Sequence, residues 1–317
     1  MVIILLSERS FNKAKSHIIA LKKINVPILL VSETSLKDSK DYSNIISPLE
    51  DLNTTFKHIS EYVKKPRYIT TVSEQLLPLV SQLEHAFNLP VQVPLTSAKI
   101  LSDKSLFEQF MSNQGFSREM PVNLIPKKIS DFDTILMSGP VLIKPTVGSG
   151  SNLYFKKETD LPHFEYIKWN SLGELKQYLI KNSFMDAVLS ANNDGLGIKR
   201  FSMYPTKFQI QPYYWSDHFS EDFYGVFIDG KHKLFARSSV ARMSTQTKLE
   251  TPLTDGHKQS INDIYSRERA VWHKPLILDE IQKKHCDFSS KVAKALGIKN
   301  LLYAGPSWFK TNSNEWI

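Results

Sequence analysis

A single cysteine, Cys286, stands in the 317-residue chain. That excludes an internal disulfide framework and a cysteine-rich metal site, and it points to a reducing compartment. Glycine is scarce at 12 residues, and "SERSFNKAK" follows the first apolar run where a dinucleotide fingerprint G-x-G-x-x-G would stand. Nicotinamide or flavin binding there is therefore disfavoured. No stretch approaches the roughly 20 apolar residues of a membrane span. The opening "MVIILL" has a short apolar run without a basic start or a small-residue cleavage site, so it reads as a first strand rather than a targeting segment. A soluble, cytoplasmic protein is expected.

Acidic residues are outnumbered 32 to 40 by lysine and arginine, a formal charge of +8. The lysines come in scattered pairs, Lys22-Lys23, Lys64-Lys65 and Lys127-Lys128, which suits a solvated basic surface better than a nucleic-acid groove. A single-strand-binding module would interleave aromatics with basic residues. Here the aromatics at 213–215 are followed by Asp217, Glu221 and Asp222, so no nucleic-acid partner is expected, and the lack of a long apolar stretch argues against a membrane one. The length exceeds what one core fills and calls for two or three packed units.

Residues 2–6, 28–31 and 67–71 are short apolar or β-branched runs, and 11–24 and 53–64 between them carry apolar residues at helical spacing. This βαβαβ order predicts a parallel sheet. Function gathers at the carboxyl ends of such strands, where Ser7-Glu8, Ser32-Glu33 and Ser73-Glu74 stand. Serine followed by an acid also begins a helix well, and capping is the favoured reading of all three pairs. A boundary is expected near residue 95. Beyond it, "SDKSLFEQFMSNQGFSREMP" reads as a helix capped by Asp103, with Phe107, Phe110 and Met111 on one face and Gly115 as terminator. Further on are expected a strand at 153–157, a helix from Ser171 to about Asn182 and an extended "KFQIQPYYW". A hairpin turning at Asp229-Gly230, a helix over 276–296 and a closing strand in "NLLYAGPSWFK" complete the pattern.

The chemistry concentrates in "VLIKPTVGSGSN". Lys144 at the inner end of an apolar strand is costly without a partner. A partner that is anionic would account for it, since Gly148 and Gly150 let backbone N–H groups approach phosphate oxygens. The run Gly148-Ser149-Gly150-Ser151 also suits an ordinary turn between strands, and it lacks the P-loop pattern G-x-x-x-x-G-K-[ST]. Taken alone, Lys104 would be a solvated lysine in a first helical turn. Arg237 and Arg242, five residues apart, point to opposite faces of a regular strand, so only one of them can face a cleft.

In order, "SDKSLFEQFMSNQGFSREMP", "VLIKPTVGSGS", "FQIQPYYW", "EDFYGVFIDGK", "RSSVAR" and "KALGIKNLLYAGPSWF" resemble the ATP-grasp superfamily over nearly the whole chain. The resemblance implies an α/β (α+β) fold: a Rossmann-like domain over 1–95, then a two-subdomain ATP-grasp fold with linker helices and lid over 96–206 and a C-terminal subdomain over 207–317. It implies an ATP-dependent, ADP-forming ligase that activates a carboxylate as an acylphosphate for attack by an amine or thiol. The partners would be ATP, Mg²⁺ and small-molecule carboxylate and amine substrates, in a biosynthetic role. By the same resemblance, Lys104, Lys144 and the loop Gly148, Ser149, Gly150 and Ser151 meet the nucleotide phosphates. Gln211, Pro212, Tyr213 and Tyr214 form the hinge that reads adenine, Asp217 or His218 meets the ribose, and Arg242 contacts a phosphate or the acylphosphate as the catalytic residue. The chain departs from the family pattern at Ser307, which stands where an acidic metal ligand is usual, and no Glu-x-Asn pair follows before Ile317. The metal ligands are therefore left unassigned, and a catalytically incomplete nucleotide-binding protein, or a fragment of such a ligase, stays open as the alternative.

Overall fold

The computed structural model describes residues 1–7, 10–36, 42–116, 123–134, 141–147, 167–169, 177, 180, 184–193, 207–212, 219–228, 231–242, 269–274, 280–304 and 308–309. Among these, the chain divides between Phe107 and Glu108 into two compact units.

The first unit runs β1 (Val2–Leu6), α1 (Phe11–Lys23), β2 (Ile28–Ser32), β3 (Ser43–Ile46), α2 (Leu52–Tyr62), β4 (Tyr68–Thr71), a 3₁₀ turn (Glu74–Leu76), α3 (Leu77–Ala86) and α4 (Leu95–Ser102). The four strands pair in parallel in the order β3-β2-β1-β4. Every residue of β1 and β2 is buried, because both faces of the sheet are covered. Val2, Ile4 and Leu6 pack with Phe11, Ala14 and Ile18 of α1 on one face. Ile3 and Leu5 pack with Ile59 of α2 and Leu79 and Leu83 of α3 on the other. The unbroken apolar run "VIILL" is thus a two-faced strand. Asp51 caps α2 by accepting from the Asn53 and Thr54 N–H groups at 2.9 and 3.3 Å.

The serine–acid pairs behave differently from the capping expectation. At the first strand end the N-cap position of α1 falls to Ser10, whose hydroxyl donates to the Ser7 carbonyl. No helix occupies 33–36, and the Ser32 hydroxyl donates to the Thr34 carbonyl at 2.7 Å. Ser73 precedes the 3₁₀ turn without a side-chain cap, and Glu74 beside it is exposed. β3 is a strand beyond the three expected, short and half-exposed at the sheet edge, which is why its pattern is weak in the sequence.

α5 (Lys104–Asn113) begins as expected at Asp103, whose Oδ1 accepts from the Ser105 and Leu106 N–H groups at 2.8 and 3.2 Å. It ends at Gly115, which adopts φ +80°, while the Phe116 N–H donates to the Met111 carbonyl at 2.8 Å. Phe116 then stacks edge-on against Phe288.

The second unit holds α6 (Ile129–Thr134) and two antiparallel sheets. β5 (Val141–Pro145), β6 (Ile167–Trp169) and β7 (Phe208–Pro212) make one sheet in the order β6-β5-β7, and α7 (Phe184–Asn193) lies against β7. β8 (Phe219–Ile228) and β9 (Lys231–Arg242) form the expected hairpin, with Ile228 paired to Lys231. β10 (Arg269–Lys274) joins β9, while β11 (Leu301–Ala304) and β12 (Trp308–Phe309) both pair with β8. The closing strand is therefore two short strands. The long helix, α8, spans Glu280–Ala295. The strand expected at 153–157 and the turn residues Asp229 and Gly230 lie outside the described residues, as does most of the helix expected at 171–182, where Gln177 and Ile180 are helical.

Candidate functional site

Directly opposed residues in an antiparallel pair share a face, and faces alternate along each strand. Register places Leu142 opposite both Lys168 and Gln211, and Lys144 opposite Gln209. Leu142, Lys144, Lys168, Gln209 and Gln211 therefore share one face of the small sheet. Val141, Ile143, Phe208 and Ile210 share the other, where Phe208 and Ile210 are fully buried. Lys144, one residue before the end of its strand, thus shares a face with Lys168, Gln209 and Gln211 as well as with Leu142, while Val141 and Ile143 take the other face.

β7 is held firmly in place. Asn192 of α7, buried, accepts from the Phe208 N–H at 2.7 Å and donates through Nδ2 to the Pro126 and Phe208 carbonyls at 2.7 and 3.2 Å. Ile210 exchanges both backbone hydrogen bonds with Leu124, at 2.8 and 2.7 Å. Since backbone groups alternate sides along a strand, those of Gln209 and Gln211 point toward β5. At the carboxyl end of β5, the Thr146 N–H donates to the Lys207 carbonyl at 2.7 Å, and the Lys207 N–H donates to Thr146 Oγ1 at 3.1 Å. The chain is thus pinned to β7 at Thr146, just past the carboxyl end of β5.

Gln209 is the residue that sequence reasoning missed. It is 1% exposed, and neither its Oε1 nor its Nε2 has a hydrogen-bond partner. Leaving both ends of a buried amide unpaired is unfavourable by about 1–3 kcal/mol for each group. The signal was present in "FQIQP", where polar residues alternate with buried Phe208 and Ile210.

In the first unit, Lys104 opens α5, where the helix dipole disfavours a cation. Burial pushes its ammonium pKa below the ordinary lysine value, and the carboxylates of Glu74 and Asp103 oppose that shift. Glu74, exposed just past the carboxyl end of β4, therefore acts on Lys104 by charge rather than as a helix cap.

Arg242 ends β9 opposite Arg269 of β10, and Arg237 stands opposite Lys274. The strand is regular from Ala236 to Arg242, so the two arginines take opposite faces, as the spacing requires. Glu221 and Asp222, consecutive on β8, also face opposite ways. Among the described residues, no group of three or more histidine, cysteine, aspartate or glutamate side chains is placed to hold a metal ion. Gly148, Ser149, Gly150, Ser151, Tyr213, Tyr214, Asp217, His218 and Ser307 lie outside the described residues. Among the described residues, no helix is long and apolar enough to cross a membrane.

No protein-family model matches the sequence, and no curated protein matches it. Solved structures do. The chain is similar to the L-amino acid ligase of Bacillus licheniformis, at 14% identity and a TM-score of 0.62 over 99% of this chain and 64% of that one. It is similar to the N5-carboxyaminoimidazole synthetase of Staphylococcus aureus complexed with ADP, at 10% identity and a TM-score of 0.55 over 99% of this chain and 68% of the other. The D-alanine–D-alanine ligase of Bacillus anthracis matches at 13% identity and a TM-score of 0.53, over 98% and 83% of the two chains. The chain spans less than two thirds of the length of the L-amino acid ligase. At these identities the likeness concerns the fold alone: the chain shares the fold of these ligases and synthetases.

Proposed function

We propose that the chain binds ATP and acts as an ADP-forming ligase, joining a small-molecule carboxylate to an amine or a thiol. The observation that carries this reading is the polar face of the β6-β5-β7 sheet, where Lys144 is opposite a buried amide with no protein partner, in a fold shared with an ADP-bound synthetase. A lysine and unsatisfied hydrogen-bonding groups on one face suit a ligand that brings both negative charge and polar edges.

In this reading residues 1–95 form a Rossmann-like domain, and the rest is the two-part nucleotide clamp. Lys144 and Lys104 meet phosphate oxygens, and the loop Gly148-Ser149-Gly150-Ser151 supplies N–H donors to them. Gln211, Pro212, Tyr213 and Tyr214 receive the adenine, and Asp217 or His218 the ribose. A carboxylate oxygen of the substrate attacks the γ-phosphorus and ADP departs. The amine or thiol then attacks the acyl carbon, releasing phosphate. Arg242 balances the charge of the phosphoryl group in transfer. Mg²⁺ belongs to this reading as the counterion of the phosphates. The described residues offer no carboxylate cluster to hold it, so no step is assigned to it.

The test is calorimetric titration with ATP and ADP, followed by assay of ADP release over pairs of carboxylic acids with amines or thiols. Binding with substrate-dependent ADP release is expected. Binding without release for any pair would favour a nucleotide-binding protein that performs no ligation. Absence of binding at millimolar ATP would overturn the site as well.

A further inference from the structure

Gln209 has a place in this site that neither the fold nor the motifs assign. We infer that its carboxamide reads the N6 and N7 edge of adenine and selects adenine over guanine; this rests on the nucleotide reading above. Three observations on β7 and β5 lead there. The amide is enclosed and makes no hydrogen bond to protein through either its oxygen or its nitrogen. By register it shares the polar face with Lys144, directly opposite, and with Gln211, two residues along. Its backbone is fixed on both flanks, by Asn192 through Phe208 and by Leu124 through Ile210.

A carboxamide offers one acceptor and one donor side by side. Adenine presents the complement on its N6 and N7 edge, an amino donor next to a ring acceptor, whereas guanine presents two acceptors there. A lysine suits a phosphate better than a neutral amide does, so the division of labour on this face is Lys144 for charge and Gln209 for the base. Enclosure makes the choice sharp: away from water, a mismatched base leaves Gln209 facing a like group with no solvent to compensate. The ligand must displace the side chains that enclose the amide, and the two hydrogen bonds the amide lacks are what it gains.

The experiment compares the full chain with its Gln209→Leu and Gln209→Met variants, using ATP, 7-deaza-ATP, GTP and inorganic tripolyphosphate as probes. Wild-type binding of ATP tests the nucleotide reading by itself. The variants should melt at a higher temperature than wild type without ligand, because two unpaired buried groups are gone. They should bind ATP roughly ten- to hundredfold more weakly, the range for loss of a bidentate base contact. Wild type should prefer ATP to both 7-deaza-ATP and GTP, and both preferences should shrink in the variants, while tripolyphosphate binding stays as it was. Equal losses for ATP, GTP and tripolyphosphate would make Gln209 a phosphate contact and overturn the inference. Unchanged ATP affinity in both variants would overturn it too, leaving the nucleotide reading in place.

Discussion

Lys144 and Gln209 are directly opposed across β5 and β7, in a pair whose backbone groups face each other. Their Cα atoms are then about 5.5 Å apart, the spacing of a hydrogen-bonded antiparallel pair. Two residues of different chemistry thus start from directly opposed points on one face of the sheet.

Lys144→Ala should weaken ATP binding by roughly 1.5–3 kcal/mol, the scale of a hydrogen bond to a charged group. Lys127→Ala serves as the control. Lys127 is exposed, and its N–H donates to Asp131 Oδ2 at 2.8 Å, a bond the alanine keeps. Titration calorimetry of the two variants should give a large loss for the first and none for the second. Equal losses would mean that the overall basic charge attracts the nucleotide.

Asn192→Ala should destabilise the second unit by roughly 2–4 kcal/mol, because it leaves the Phe208 N–H and two carbonyls without their partner in a buried place. Chemical denaturation should show an earlier transition. ATP affinity should fall as well, since the start of β7 is no longer held. A variant as stable as wild type would deny Asn192 its anchoring role.

Glu84→Gln should change how stability depends on pH. Glu84 is 1% exposed and accepts from the Gln92 N–H at 3.0 Å. Burial pushes its carboxyl up to about 7 from 4.5, and the Gln92 hydrogen bond opposes the shift. A carboxyl raised in the fold favours folding in its protonated form, so that stability is full below about 4.5 and declines as pH rises through about 7. Glutamine stays neutral and keeps an acceptor for Gln92. The variant should therefore be more stable than wild type at pH 8, by about 1–2 kcal/mol after allowance for solvent screening, and equally stable near pH 4. Parallel stability curves for the two proteins across this range would contradict the assignment.

Glu74→Gln should lower the pKa of the Lys104 ammonium further, because the opposing carboxylate charge is removed while burial remains. Competitive amine acylation read by mass spectrometry should show Lys104 turning reactive at lower pH in the variant, with Lys127 unaffected. If the Lys104 profile does not move, Glu74 has no electrostatic hold on it.

The parallel sheet of the first unit was legible in the sequence because its strands are buried on both faces and its helices carry one apolar stripe each. Ile3 and Ile4 face opposite cores, and nothing but an unbroken aliphatic run satisfies both. Asp103 and Gly115 marked the ends of α5 for local reasons: an oxygen that accepts the first free N–H groups, and a residue that tolerates φ +80°. The hairpin of β8 and β9 followed from its turn residues and flanking alternation. What the sequence left open was decided by pairing between distant segments. Ser32-Glu33 had the local form of a helix start, yet a strand, β3, comes next and pairs beside β2. Lys144 had the look of a misplaced charge until register set it opposite Gln209, 65 positions along the chain, and showed which face both occupy. That Gln209 is enclosed and unpaired is a fact of three-dimensional surroundings, since a glutamine in an alternating strand has the same local pattern whether its amide meets water, protein or a ligand.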